Sequence, residues 1–383
     1  MKMNYNTHTL ANGLRIIHLP SAQPVVYCGY AVGAGTRDEE LGREEGMAHF
    51  CEHITFKGTE RRSSMQILGH LESVGGDLNA FTNKEETVYH AAVLKENIDR
   101  AVDLLTDIVF HSTYPQAEID KEVEVIVDEI ESYNDSPAEL VYDLFENAVF
   151  GGHPLGHNIL GTAEKLRRYT TADALRFTRR YYRPENSVFF AYGDVDFQKL
   201  VRLLERANAA DAAAESVAAV SLPPQQSAIS DNSCCGGGKD TAAALLPPYV
   251  AQHIEHHMDT HLAHVMLGTR AYDVHDERRI ALYLLNNILG GPGMTARLNV
   301  SLRERNALVY TVESMAQSYS DTGLWAVYFG CDPKNVKRCL RLIRCELDKV
   351  MQRPLSDAQL RAAKRQIRGQ IGIACDSRES FAL

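Results

Sequence analysis

The apolar positions of this chain change period several times, and each change marks an element. Thr9 to His18 alternates apolar and polar residues around Asn12-Gly13, and Val25 to Gly33 is an apolar run behind Pro24. Residues 8–34 therefore read as a hairpin, with two strands ahead of the first helix. Met47, Phe50, Ile54 and Phe56 mark a buried helix over 46–56. Ser64 to Val74 has the period of a second helix, stopped by Gly75-Gly76, and Asn79–Thr82 with Thr87–Val93 read as a strand pair. Ile98, Val102, Leu105 and Ile108 predict a helix over 95–109, and Ile119, Val123, Ile126, Val127 and Ile130 predict another from Ala117 to about Asn134. Helical segments over 140–150 and 163–182 and a closing strand, Ser187–Tyr192, follow.

From 208 to 248 the composition shifts to Ala, Ser, Gln, Pro and Gly, which predicts a flexible linker. Beyond it the plan of the first half returns. A strand over 322–329, a helix over 335–350 and a helix opened by Pro354-Leu355-Ser356 repeat the order of 87–93, 95–109 and 115–134. The expected fold class is α+β: two related α/β repeats, each an antiparallel-rich sheet with helices packed on it. The expected domains are residues 1–207, the linker 208–248, and a second repeat over 249–383. That second repeat reads as C-terminally short, because far fewer residues follow Gln370 than follow Glu129, its counterpart in the first half.

Composition narrows the function classes. A chain of 383 residues is long enough for two cores, and 45% apolar with 23% charged residues is ordinary for a globular protein. The formal charge of −10 speaks against a nucleic-acid partner, which needs clustered Lys and Arg. Residues 1–8 show no signal-peptide core and no apolar run has the length of a membrane span, so no membrane association and a cytoplasmic location are expected. The eight cysteines form no disulfide framework, and Cys234-Cys235 fall within the Gly-rich linker.

The chemistry concentrates at His49-Phe50-Cys51-Glu52-His53. On a helix, residues three and four apart share a face, so His49, Glu52 and His53 project together. Two imidazoles suit one Zn2+ per chain with a position left for water, and the carboxylate between them can act on that water. Glu122 and Glu129, seven apart on one edge of the 117–134 helix, have two readings. One gives Glu129 the third metal position and Glu122 a role orienting the site; the other is a solvated acidic face, and periodicity alone does not choose. His153 and His157 sit among Gly and Pro and read as loop residues. The histidines of 253–264 precede a strand without an ordered ligand set. The second half has no His-x-x-Glu-His, and Gln370 stands near where Glu129 maps, so only the first half carries a metal set.

With these residues in place, the chain resembles the pitrilysin family of inverted-motif zinc metallopeptidases. The likeness spans residues 8–383. It includes Gly-Thr-Arg-Asp-Glu at 35–39, Phe-Lys-Gly-Thr at 56–59 and Gly-Gly-Asp-Leu-Asn-Ala-Phe-Thr at 75–82. In the second half it includes Leu289-Gly290-Gly291-Pro292-Gly293-Met294, Leu302-Arg303-Glu304 and Tyr310. The resemblance implies a zinc endopeptidase acting on unfolded peptides inside a closed chamber made by two two-repeat units. It implies that Asn79, Ala80 and Phe81 take substrate backbone as an edge strand and that Arg303 and Tyr310 reach substrate from an opposing unit. A homodimer, or a heterodimer with a related chain, would supply the other wall. Cys51, inside the motif, adds the expectation that alkylation crowds the metal and impairs activity. The alternative is a non-catalytic or peptide-binding subunit of a peptidase complex. A third reading, a redox or metal-storage protein, requires Cys234 and Cys235 to join the histidines of 253–264.

Overall fold

A computed structural model of the chain describes residues 4–219 and 246–383. The strands are β1 Asn6–Thr9, β2 Arg15–Pro20, β3 Val25–Val32, β4 Asp77–Thr82, β5 Thr87–Leu94, β6 Ser187–Gly193, β7 Ala263–Ala271, β8 Val309–Ser318 and β9 Gly323–Cys331. The helices are α1 Met47–Thr55, α2 Ser64–Glu72, α3 Ile98–His111, α4 Gln116–Asn134, α5 Pro137–Phe150, α6 Ala163–Leu166, α7 Thr171–Tyr181, α8 Phe197–Ala219, α9 Arg278–Gly290, α10 Val336–Gln352, α11 Asp357–Ala374 and α12 Arg378–Ala382. A π-helical turn, Asn299–Glu304, precedes β8. Among the described residues no helix is long and apolar enough to cross a membrane.

The chain forms two compact units. One takes Met1–Val123 and Glu164–Leu246; the other takes Glu124–Ala163 and Pro247–Phe381. The boundary therefore falls inside α4, and residues 124–163 group with the second half of the chain. The first 12 residues of the stretch expected as linker, 208–219, continue α8; residues 220–245, with Cys234 and Cys235, lie outside the described residues.

The first unit is built on a six-stranded sheet of order β1-β2-β6-β3-β5-β4. Three strands, not two, precede α1. The Asn12-Gly13 turn joins β1 to β2, while β3 pairs antiparallel with β5 and β6, and β6 runs parallel to β2 between them. The period of a strand locates it but does not name its neighbour, so the 8–34 hairpin gives way to a long-range insertion. Gly29 permits the tight approach: a Cβ there would stand 2.4 Å from the Tyr89 carbonyl oxygen and 2.8 Å from the Phe190 ring. β4 ends the sheet and, among the described residues, pairs only with β5.

On this sheet α3 lays a stripe of Ile98, Val102, Leu105 and Ile108, all buried, and α1 is buried nearly all round through Met47, Phe50, Cys51 and Ile54. Each such aliphatic or aromatic side chain contributes roughly 1.5–3 kcal/mol by leaving water. The segment expected as one helix over 163–182 is two, because Thr170 caps a new start at α7, its hydroxyl accepting from the Asp173 amide.

The second unit repeats this plan on a smaller sheet, β7-β9-β8, antiparallel throughout and equivalent to β3-β5-β4. α9 follows β7 as α1 follows β3, and α10 and α11 follow β9 as α3 and α4 follow β5. Its core gathers Leu289, Leu298, Leu302, Val327, Phe329 and Ile343. Strand β8 escaped the sequence pattern because its residues, Val-Tyr-Thr-Val-Glu-Ser-Met-Ala-Gln-Ser, are mostly polar or half-buried and show no clean apolar alternation; a register irregularity also lies between Val309 and Thr311.

Candidate active site

The geometry starts at the entry to α1. Gly46 has φ +85°, a left-handed conformation that glycine adopts without strain, and it turns the chain into the helix. No side chain of the helix itself caps this end. Glu39 does so from outside: its two carboxylate oxygens accept from the amides of Gly46 at 2.9 Å and Ala48 at 2.8 Å. A buried anion there satisfies two orphan donors and faces the positive end of the helix dipole.

One turn in, His49 and His53 stand side by side with ring centroids 4.6 Å apart. His49 is buried, and burial, reinforced by neighbouring His53, pushes its pKa down to about 3. It is therefore a neutral imidazole at neutral pH, the form that ligates metals. One ligand atom from each of His49, His53 and Glu129 lies within 4.8 Å of the others, the only such group among the described residues. Glu129 is carried by α4, one continuous helix rooted in the first unit.

These donors fit zinc. Two imidazoles and a carboxylate are a donor set of catalytic zinc sites, and ligands at about 2.0–2.1 Å from one tetrahedral ion stand roughly 3.4 Å apart, a modest contraction from the spacing seen.

Two turns before Glu129 on the same helix, Glu122 Oε1 lies 3.2 Å from His53 Nδ1 and Oε2 lies 2.6 Å from Lys57 Nζ. Burial pushes Glu122 up, but the hydrogen bonds from His53 and Lys57 outweigh it and hold the carboxyl below its usual range. A carboxylate on Nδ1 leaves Nε2 of His53 as the nitrogen turned to a cation.

Glu52 sits between the two histidines in sequence and accepts a 2.6 Å hydrogen bond from Thr82 Oγ1, at the end of β4. A cleft of about 630 Å³ adjoins it. Its lining includes Glu52, His53, Phe56 and Lys57, Leu68 and Glu72 from α2, Gly76, and residues 77–80 of β4. Asn79, Ala80 and Phe81 thus lie on the sheet's open edge, with Asn79 and Ala80 in the wall of the cleft. Along that edge the Leu78 amide donates to its neighbour Asp77 Oδ1 at 3.0 Å, and the Ala80 amide to Asn79 Oδ1 at 2.8 Å.

In the second unit Arg303 lies on the exposed face of the π-helical turn, and Tyr310, 82% exposed, lies at the start of β8. The histidines of 253–264 join no metal group among the described residues; His253 pairs only with exposed Glu255, at 3.1 Å. Gln370 occupies the place in α11, counted from the helix start, that Glu129 holds in α4.

Cys51 lies in the middle of α1. Its thiol is fully buried, and burial, with Glu39 and Glu44 nearby, raises its pKa well above the ordinary value, so slow reaction with alkylating reagents is expected. Three residues that shape the site were not singled out from the sequence: Glu39, Lys57 and Thr82. Each stands inside a run that the family resemblance marks, but its partner lies in another segment.

Residues 16–163 match the family described as Insulinase (Peptidase family M16), and residues 168–367 match the Peptidase M16 inactive domain. An uncharacterized zinc protease of Streptomyces coelicolor is 36% identical over 363 residues, covering 94% of this chain and 75% of its own length. Another, of Bacillus subtilis, is 31% identical over 375 residues, covering 97% and 85%. The crystal structure of a protease from Helicobacter pylori superposes with a TM-score of 0.82 at 22% identity, over 99% of this chain and 87% of that one, a likeness of fold.

Proposed function

The chain belongs to the insulinase family of M16 peptidases, and from that premise we propose that it is a zinc-dependent endopeptidase that cleaves unfolded peptides or oligopeptides. The observation that carries this reading is the approach of His49, His53 and Glu129 to within 4.8 Å around the helix that also bears Glu52. Zinc held by these three side chains would supply Lewis acidity toward a water and the scissile carbonyl.

Glu52 is the general base and acid. It takes a proton from the attacking water as the oxygen–carbon bond forms, and delivers it to the amine nitrogen as the carbon–nitrogen bond breaks, so no net proton is consumed. Glu122 holds the His53 ring in the ligating orientation. The peptide adds to the free edge of β4 along Asn79, Ala80 and Phe81, main chain to main chain, beside Glu52. Arg303 and Tyr310 reach substrate from an opposing unit, and a second copy or a related chain supplies the other wall of the chamber. Their exposure supports this role.

The test combines metal content with hydrolysis of quenched peptides of graded length, with and without a chelator. One zinc per chain and chelator-sensitive cleavage are expected. Glu52→Gln should keep zinc and lose turnover, and Glu129→Ala should lose zinc. A zinc-loaded chain that binds these peptides without cleaving any would overturn the reading in favour of a peptide-binding subunit.

A further inference from the structure

Strand β4 does more than present an edge. Its last residue, Thr82, is buried, and its Oγ1 stands 2.6 Å from Glu52 Oε2. The direction of this bond follows from the neighbours. Thr87, opposite Thr82 in the β4–β5 register, donates its own hydroxyl proton to the Ala34 carbonyl at 3.0 Å, and its oxygen lies 3.5 Å from Thr82 Oγ1. An ionised carboxylate only accepts, so the single Thr82 hydroxyl proton goes to Glu52, the nearer and charged acceptor.

We infer that Thr82 is a positioning residue that fixes the carboxylate plane of Glu52 and ties the base to the strand that takes the substrate. The inference rests on the peptidase reading. Threonine suits the task because its β-branch stiffens χ1 within a strand, so the hydroxyl is held by the same ladder that holds the backbone. The edge of β4 and the Thr82 side chain belong to one rigid segment. A peptide that pairs with the edge therefore meets a base already oriented against it.

The experiment compares the wild type with Thr82→Val, which keeps shape and removes the donor, and Thr82→Ser, which restores it. Zinc content, kcat and KM are measured for each with one quenched peptide. Binding of that peptide is measured separately by placing each substitution in a Glu52→Gln background. Expected for Thr82→Val is a fall in kcat of about 10–100-fold, with KM, peptide affinity and zinc content unchanged. Thr82→Ser should recover most of kcat.

A Thr82→Val enzyme with kcat within twofold of wild type overturns the role. So does a loss that tracks zinc content or peptide affinity, or one that Thr82→Ser does not relieve. A zinc-loaded wild type that cleaves nothing is a different failure, overturning the peptidase reading and this role with it.

Discussion

Lys57 and Glu122 form a 2.6 Å ion pair beside the face of α1 that carries His49 and His53, and the other oxygen of Glu122 reaches His53. The lysine counterbalances a carboxylate that would otherwise be half-buried with only an imidazole for company. Removing it frees Glu122 to rotate off Nδ1, and His53 loses its orientation. Lys57→Met should release zinc about tenfold faster to a chromogenic chelator, and Lys57→Arg should behave close to wild type. Equal release rates in all three proteins would show that Glu122 orients His53 without help.

Glu39 carries the N-terminus of α1 on two buried hydrogen bonds, so its loss leaves two amides without an acceptor. Glu39→Ala should lower stability by about 2 kcal/mol, seen as an earlier unfolding transition in a thermal melt. Glu39→Gln keeps one carbonyl acceptor and should lose less. A shift below about 0.5 kcal/mol for the alanine variant would mean that water or another group replaces the cap.

Cysteine reactivity separates buried from exposed thiols. Cys345 and Cys375 are exposed, whereas Cys51 is fully buried with its pKa raised. N-ethylmaleimide applied to the native protein should modify Cys345 and Cys375 and leave Cys51 and peptide hydrolysis intact, as peptide mapping by mass spectrometry would report. Modification of Cys51 at the rate of the exposed cysteines would show that α1 opens to solvent.

His18 supplies a pH dependence away from the metal set. It is buried, Nε2 donates to the Gly193 carbonyl at 3.2 Å, and Nδ1 lies 3.3 Å from Asn6 Nδ2. Burial lowers its pKa below 6.5, against the opposing pull of Gly193 and Asp196. Near and below pH 6.5 the unfolded chain thus binds more protons at this residue than the folded one, so its contribution to stability rises with pH and is lost on acidification. Urea midpoints measured from pH 7.5 down to about pH 5 should fall, and His18→Gln should flatten the slope. An unchanged slope would assign the acid sensitivity to other groups.

How far the site was legible follows from the range of each interaction. His49, Glu52 and His53 share one helix, so the 3.6-residue period brings them together without knowledge of the fold. Glu122 and Glu129 share another, and their spacing put both on one edge, but only the packed structure shows Glu122 on Nδ1 of His53 and Glu129 among the ligand atoms. Glu39, Lys57 and Thr82 act across segments, where period carries no information. The same limit explains β6, whose insertion between β2 and β3 is a long-range pairing. At residue 208 the shift to Ala-rich sequence signals a linker and a helix equally well, since Ala is the best helix former, and α8 runs on to Ala219.

The open edge of β4 can be probed by substitution. The amides of Leu78 and Ala80 donate to the side chains of Asp77 and Asn79, two residues of the same parity, which places both on the side of β4 that faces away from β5. A peptide strand adding to this edge would take over those donors from the two side chains. Proline removes a backbone donor and is tolerated at an edge position whose N–H does not serve the sheet, and the preceding Asn79 is already extended, as proline requires. Ala80→Pro should therefore leave the thermal midpoint and zinc content near those of the wild type. It should raise KM for quenched peptides at least about tenfold, because the Ala80 amide no longer donates to the substrate main chain and the ring perturbs the strand around it. Unaltered KM in a folded, zinc-loaded Ala80→Pro protein would mean that substrate does not bind as an added strand at this edge.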